Sequence, residues 1–316
     1  MPRGNDPSDY NDSPAKVVDD THRPYRRRLD APIGDMPLLE DLRQAGATDY
    51  YIAPFPFIDQ QRTAHISFAT QRAGGFSDQE IAGLTRAARL FSPYAERRVL
   101  KKIAVDLLTT YVGRRSAEKV YDGALDRGKA EIITATILIA DLRGFTRYSD
   151  THRIDNVLST LNDFFDALVA AIEPHGGEVL KFIGDALLAI FPAADERQLP
   201  HAPAIAAALD TRRRIAALNA ERAKAGRTLL KFGLALNVGE IAYGNIGSRT
   251  RLDFTAIGPA INHTSRLLEV AKKRNRDIVM SESFVQAAGR DFPSLGLHKL
   301  RDVAGEQQVY GLAEDA

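Results

Sequence analysis

The chain has 316 residues, of which 44% are hydrophobic and 26% are charged, and its formal net charge is +1 at pH 7. This composition is ordinary for a globular chain long enough for two domains, and the small net charge gives no electrostatic reason to expect nucleic acid or a membrane as a partner. The absence of cysteine excludes disulfides, thiolate metal sites and cysteine nucleophiles.

The first 35 residues have few large apolar side chains. They are rich in Asp, Arg, Pro and Ser, which predicts that residues 1–35 form a disordered or loosely docked arm. Residues 1–12 carry no apolar signal-peptide core, and the longest apolar stretch, around 132–142, is far too short to span a bilayer. We therefore expect a cytoplasmic protein.

Residues 36–111 predict a small α/β segment. Two β-rich runs precede a helix that opens with Ser77 and Glu80, which form a capping-box pair. Pro93 either kinks that helix or starts a second one, which runs toward Gly113. The pattern resembles the trailing half of a GAF-type sensor domain and fits a plain dimerisation module equally well. An unknown regulator of this segment is therefore part of the hypothesis.

Residues 131–316 are predicted to form alternating strands and helices. They follow a predicted connector at 112–130, which contains both glycines and charged residues. The predicted elements are a strand over 134–140, a helix over 154–173, a hairpin over 179–191, a helix over 202–225, strands over 230–238 and 240–245, and a helix over 259–273. The order β-α-β-β-α-β predicts an α+β fold of the ferredoxin-like type, with helices on one face of an antiparallel sheet. The other face of the sheet then needs a cover.

Two aspartates occupy the ends of predicted strands. Asp141 follows the apolar run 137–140, and Asp185 follows Gly184 in the turn of the predicted hairpin. Carboxylates in such places are held at the rim of a sheet, where Mg²⁺ prefers one or two of them and fills its other positions with water and phosphate oxygens. Each aspartate taken alone is equally consistent with an ordinary turn residue that binds no metal ion.

Three sequence blocks give these aspartates a context. They read D-L-R-G-F-T at 141–146, G-G-E-V-L-K-F-I-G-D at 176–185, and G-N-I-G-S-R-T-R-L-D-F-T-A-I-G-P-A-I-N-H-T-S-R-L at 244–267. In this order the blocks resemble the class III nucleotide cyclases, and the resemblance covers roughly residues 130–313. It implies a catalytic domain over residues 131–316 in which the 3′-hydroxyl of a nucleoside triphosphate attacks its own α-phosphorus and expels pyrophosphate.

The resemblance also implies a site for two metal ions. Asp141 and Asp185 match the two metal-binding aspartates of the family, which would bind two Mg²⁺ ions, with Mn²⁺ as an alternative. The backbone carbonyl of Leu142 is implied as a further ligand. Phe145 and Thr146 lie where a turn can offer backbone N–H groups to phosphate oxygens.

Asn262 and Arg266 are four residues apart on a predicted helix, so both project from the same face. The resemblance implies that they orient the ribose and neutralise the phosphate in the transition state. Arg301 aligns with a basic residue that contacts the triphosphate in the family, although the glycine that usually follows is absent here. Arg249 and Arg251 are weaker phosphate candidates.

Base selection is predicted to depend on Lys181 and Thr255. An ammonium group and a hydroxyl can donate to N1 of adenine and accept from its 6-amino group. Guanine presents an N1–H group and needs an acceptor there, and family guanylate cyclases carry Glu and Cys at these positions. The Lys and Thr pair resembles a bacterial subgroup that includes bicarbonate-responsive enzymes, which makes bicarbonate sensitivity a further hypothesis.

The sequence thus predicts an adenylate cyclase that acts on ATP as a homodimer. Family geometry implies that Asp141 and Asp185 of one protomer face Lys181, Thr255 and Arg266 of the other, together with Asn262. Two alternatives stay open. One is a guanylate cyclase, and the other is a catalytically silent signalling module that binds nucleotide or only dimerises.

Overall fold

The computed structural model describes residues 10–55, 57, 64–121, 130–193, 200–248 and 250–313. The chain divides into two compact units, Met1–Ala104 and Val105–Ala316. This division falls inside one long helix rather than at residue 111, where the sequence analysis ended the first segment. In the described part of the chain, none of the helices combines the length and the hydropathy that a bilayer span requires.

The first unit contains a three-stranded antiparallel sheet with the strand order β1-β2-β3. Its elements are α1 (Pro14–Thr21), β1 (Tyr25–Arg28), α2 (Pro37–Gln44), β2 (Asp49–Phe55), β3 (Ala64–Thr70) and the beginning of α3 (Asp78–Val112). The predicted capping box is present, because Ser77 Oγ accepts from the Glu80 N–H group and Glu80 accepts from the Ser77 N–H group. Helix α3 continues through Pro93, so of the two alternatives stated for this residue the second helix is wrong.

The predicted disordered or loosely docked arm is wrong for residues 14–33. Residues 1–9 of that arm lie outside the described residues. Val18, Leu29 and Ile33 are buried in one apolar cluster with Leu39 and residues of β2. Strand β1 pairs with β2 over its whole length, which satisfies the backbone groups on the side that faces β2. The few apolar residues of this segment suffice because they converge on one cluster.

The second unit is built on an eight-stranded sheet with the order β10-β11-β9-β7-β4-β6-β5, in which β8 also pairs with β7. Its elements are the end of α3, α4 (Arg114–Tyr121), β4 (Ala130–Leu142), α5 (Phe145–Thr151), α6 (Ile154–Ile172), β5 (Glu178–Ile183), β6 (Ala186–Pro192), α7 (His201–Lys224), β7 (Phe232–Gly247), β8 (Leu252–Ile257), α8 (Pro259–Lys273), β9 (Ile278–Ser281), α9 (Glu282–Ala288), β10 (Ser294–Lys299) and β11 (Glu306–Gly311).

Strands β4, β5, β6 and β7 with helices α6 and α7 form the predicted β-α-β-β-α-β unit, with the spatial order β7-β4-β6-β5. The α+β, ferredoxin-like prediction is confirmed. The two strands predicted over 230–238 and 240–245 are one strand, because Gly239 stays in register opposite Ala135 and does not interrupt the ladder. Strands β8 to β11 were not predicted.

The two helices of that unit, α6 and α7, lie on one face of the sheet as predicted, and helix α8 covers the other face. Alternate residues of β4 point to opposite sides. Leu138 packs in a core with α6 and α7, whereas Ile137 packs in a second core with Leu267 and Val270 of α8. Helix α8 turns its apolar side to the sheet, and its polar side remains available to a site.

A buried arginine ties α6 to α7. Arg222 is 2% exposed, and its guanidinium group donates to Asp163 Oδ2 at 2.7 Å, to Thr160 Oγ1 at 3.2 Å and to the Thr228 carbonyl at 2.8 Å. We expect Arg222→Ala to lower the free energy of unfolding by about 3 kcal/mol, because it removes a buried guanidinium group that joins two helices and leaves the partly buried Asp163 and the buried Thr160 hydroxyl without their donor. Urea unfolding measures this change. The control is Arg227→Ala, which removes an exposed partner of Asp163 and should change the free energy by less than about 1 kcal/mol; equal losses would contradict the argument.

Candidate active site

The two predicted metal-binding aspartates lie side by side. Asp141 is the penultimate residue of β4 and stands opposite Ala186 of β6. Asp185 occupies the turn between β5 and β6, and its carbonyl accepts a hydrogen bond from the Leu142 N–H group at 3.3 Å. The sheet register therefore places both carboxyl groups at the same end of these neighbouring strands, where each is partly buried.

Burial and mutual repulsion make the ionised pair unfavourable. Burial raises the pKa of Asp141, the negative charge of Asp185 raises it further, and Arg143 and Lys272 oppose the rise. Burial also raises the pKa of Asp185. Two crowded, partly desolvated carboxylates gain most from a cation placed between them, because a positive charge relieves both effects.

The aspartates open into a cavity of about 480 Å³. Its opposite wall is the polar side of α8, from which Asn262, Glu269 and Lys272 face the same space. These three residues follow one helix face at positions i, i+7 and i+10. The cavity therefore combines a carboxylate pair with an amide, an acid and a cation, all from one chain.

The ligands present fit a hard divalent cation. Within the described residues, no group of three or more His, Cys, Asp or Glu side chains is placed to hold a metal ion. Two carboxylates and a backbone carbonyl are oxygen ligands, and Mg²⁺ completes such a set with water and substrate phosphates. The role of the Leu142 carbonyl stays a prediction.

The loop after β4 is shaped by a glycine. Gly144 has φ +73°, a left-handed conformation that side chains disfavour, and α5 begins at the next residue. The backbone N–H groups of Phe145 and Thr146 thus belong to the first turn of a helix, where intrahelical acceptors are missing. Thr146 is exposed and Phe145 packs against the core.

Gly233 on β7 also lies at the site, although it was not among the predicted site residues. Its N–H group donates to the Asp141 carboxylate, and a Cβ atom at this position would lie 2.8 Å from Asp141 Oδ1. A glycine inside an apolar strand run is the signal that marks such a close approach. Arg143 was also missed, and it donates to the Ala271 carbonyl at 3.0 Å, which fastens the end of β4 to α8.

Lys181 lies apart from the aspartates, in a second cavity of about 490 Å³ that Arg251 and Asp253 also line. Its ammonium group is paired with the Asp253 carboxylate rather than with Thr255. Thr255 is two residues further along β8 and is buried. Because residues two apart share one face of a strand, Asp253 and Thr255 point to the same side.

The two arginines predicted to bind phosphate share their partners. Arg266 Nη1 lies 3.2 Å from Glu269 Oε1, and Arg266 Nη2 lies 3.7 Å from Asp302 Oδ2. Arg301 approaches the same two acids, at 3.9 Å from Glu269 and 3.7 Å from Asp302. Arg249 lies outside the described residues.

One chain thus brings together Asp141, Asp185 and Asn262 in a single cavity. Glu269 links that cavity to Arg266. Lys181 and Thr255 are not placed against the aspartates within the chain. Asn262 was expected to face the aspartates from a second protomer, yet it lines their cavity from their own chain.

The sequence matches known proteins over the second unit. Residues 129–310 match the family model described as the adenylate and guanylate cyclase catalytic domain. An uncharacterized protein of Mycobacterium tuberculosis is 33% identical over 218 residues, which are 66% of this chain and 37% of that protein. An adenylate cyclase of Anabaena cylindrica is 30% identical over 166 residues, which are 51% of this chain and 32% of that protein. The chain spans about a third of the length of these curated relatives.

Solved structures of cyclases share the fold. A bacterial light-regulated adenylyl cyclase superposes with a TM-score of 0.59 at 22% identity, over 71% of this chain and 65% of that chain. A guanylyl cyclase superposes with a TM-score of 0.52 at 27% identity, over 58% of this chain and 95% of that chain. Since the family match spans more than half of its residues, the chain belongs to the family of adenylate and guanylate cyclase catalytic domains.

Proposed function

We propose that this protein is an adenylate cyclase that converts ATP to 3′,5′-cyclic AMP and pyrophosphate. The observation that carries the proposal is the pair of partly buried carboxylates, Asp141 and Asp185, in one cavity with Asn262. In the reaction the 3′-oxygen forms a bond to the α-phosphorus, the bond from the α-phosphorus to the bridging oxygen of pyrophosphate breaks, and the 3′-hydroxyl loses its proton.

Each residue of the site has a part in this scheme. Two divalent cations, Mg²⁺ or Mn²⁺, held by Asp141, Asp185 and the Leu142 carbonyl, would stabilise charge on the attacking and leaving oxygens. Amide groups of the turn at Phe145 and Thr146 bind the phosphate chain. Asn262 orients the ribose. Arg266 neutralises the phosphoryl charge, and Arg301 and Arg251 bind the leaving pyrophosphate.

The proposal also specifies adenine as the base of the nucleotide. Lys181 donates to N1 of adenine and the Thr255 hydroxyl accepts from the 6-amino group. A guanylate cyclase is the alternative, and the 27% identity to a guanylyl cyclase keeps it open. Against it stands the donor at Lys181, which leaves the N1–H group of guanine without an acceptor.

Exposed apolar side chains support a homodimer. Phe182, Ile183 and Ile257 are each more than half exposed. Ile183 borders the aspartate cavity and Phe182 borders the Lys181 cavity. Exposed apolar residues beside a site are typical of an interface, and a second copy related by a two-fold axis would cover them while bringing Lys181 to the opposite aspartates.

The test is an assay of the purified protein with ATP and with GTP, in the presence of Mg²⁺ and of Mn²⁺. Cyclic AMP from ATP supports the proposal. Cyclic GMP as the main product supports the guanylate alternative. Binding of nucleotide without a cyclic product would show a catalytically silent module.

Replacing Lys181 and Thr255, the two residues proposed to recognise the base, should change the preference for ATP. We expect Lys181→Glu combined with Thr255→Cys to lower kcat/KM for ATP by roughly a hundredfold or more, because the hydrogen-bonding pattern is inverted toward guanine. Steady-state kinetics with both nucleotides measure the change. The matched control is Lys299→Glu, the same charge change at an exposed position of β10. Unchanged ATP kinetics in the double variant would show that these residues do not read the base.

A further inference from the structure

Asp302 lies in the turn between β10 and β11 with an unusual backbone. Its φ angle is +60°, in the left-handed region, and it is one of three non-glycine residues with positive φ in the described part of the chain. Asp and Asn tolerate this conformation better than other side chains do. The turn thereby directs an acidic side chain toward the two arginines that we assign to the phosphates.

The four charged groups form a neutral cluster. The Asp302 carboxylate lies 3.7 Å from both Arg266 Nη2 and Arg301 Nε, and Glu269 takes the other side of each guanidinium group. The two acids differ in exposure. Glu269 lies on α8 one helical turn from Arg266 with its side chain 44% exposed, whereas the Asp302 side chain is 78% exposed on a turn.

A carboxylate in this place competes with phosphate for the same donors. Guanidinium groups bind phosphate and carboxylate oxygens in the same bidentate manner, and a triphosphate carries more charge than one carboxylate. An exposed ion pair is weak, so the triphosphate can displace Asp302. The displacement still lowers the net affinity, because the pairs with Asp302 must break first.

We propose that Asp302 is an internal competitor of the triphosphate. It occupies Arg266 and Arg301 when the site is empty, yields to ATP, and returns as pyrophosphate leaves. This inference rests on the proposed function and deepens it, since it assigns to one acidic residue the setting of substrate affinity and product release.

Two variants separate the charge of Asp302 from its backbone conformation. Asp302→Asn keeps the shape and the tolerance of positive φ but removes the charge, whereas Asp302→Gly removes the charge and the strain. We expect both variants to tighten binding of 3′-deoxy-ATP and of inorganic tripolyphosphate by the same factor, about threefold to tenfold, the combined scale of the two exposed ion pairs that Asp302 makes. Calorimetry with Mg²⁺ present measures the affinity, and Asp291→Asn, an exposed acid outside the cluster, should leave it unchanged.

Kinetics give a second readout. KM for ATP should fall in both variants by a similar factor, inhibition by pyrophosphate should strengthen, and kcat should not rise. Affinities within twofold of the parent in Asp302→Asn, or weaker binding, would overturn the inference. A change in Asp302→Gly alone would also overturn it, because the backbone would then be the cause. Binding without cyclic product in the parent contradicts the proposed function but leaves this comparison valid. Failure of the parent to bind either probe would make both proposals wrong.

Discussion

Replacing Asp141 or Asp185 with alanine is expected to lower cyclic AMP production by at least about a hundredfold, the scale of loss when a ligand of a catalytic metal ion is removed. Both side chains are partly buried at the wall of the cavity and belong to neither apolar core, so the fold should persist. The rate is measured with saturating ATP and Mg²⁺, and the control is Asp291→Ala at an exposed position. Residual activity above about a hundredth of the parent would contradict the metal assignment.

Removing the charge of Asp141 is expected to raise the stability of the metal-free protein, although it abolishes activity. The pKa of Asp141 is raised in the folded chain by burial and by Asp185, so ionisation of this carboxyl destabilises the fold once the pH exceeds the unfolded value of about 3.9. Asp141→Asn removes that charge. Its midpoint of thermal unfolding in chelator at pH 7 should therefore exceed that of the parent, and the gain should shrink as the pH falls toward about 3.9.

Added Mg²⁺ is expected to stabilise the parent and to have a smaller effect on Asp141→Asn, because only the parent keeps both carboxylates. This readout needs no turnover. An Asp141→Asn protein that is inactive but less stable than the parent in chelator would indicate a structural role for the carboxylate instead of a metal-binding one.

Complementation between two inactive chains is the second large effect that we expect. In a site shared between protomers, Asp141→Ala and Arg266→Ala are each inactive alone, yet a mixed dimer contains one intact site and one site with both lesions. Random exchange makes half of the dimers mixed, so activity should recover to about a quarter of the parent if the sites act independently in a symmetric dimer. Cyclic AMP production by the mixture is the measurement, and distinguishable tags confirm the exchange of subunits.

The control mixture pairs Asp141→Ala with Asp185→Ala. Both aspartates belong to one cavity of one chain, so neither site of a mixed dimer is intact and no activity should return. Tagged mixed dimers that form from Asp141→Ala and Arg266→Ala but make no cyclic AMP would show that the site is not shared.

The position of Asn262 calls for a third mixture. Asn262 lines the aspartate cavity of its own chain, although it was expected to act from the other protomer. Mixing Asp141→Ala with Asn262→Ala separates the two arrangements. Recovery to about a quarter means that Asn262 serves the opposite site, whereas no recovery, beside recovery with Arg266→Ala, means that it serves the aspartates of its own chain.

The sequence by itself determined the features that depend on local order. Alternating apolar patterns predicted the β-α-β-β-α-β unit, because side-chain periodicity reports which face of an element is buried. That Asp141 and Asp185, the predicted metal-binding pair, lie close together was predictable from the same patterns. Asp141 ends a strand and Asp185 turns a hairpin, and pairing of that hairpin with β4 leaves both carboxyl groups at one edge.

Tertiary structure alone decided which distant residues meet. Periodicity does not name the partner of a buried face, so it did not show that residues 14–33 pack on β2 or that α8 covers the sheet face opposite α6 and α7. The pairing of Lys181 with Asp253 and the approach of Asp302 to Arg266 depend on contacts between separate elements. Gly233 reaches Asp141 for the same reason, since β7 and β4 are adjacent only after the sheet has formed.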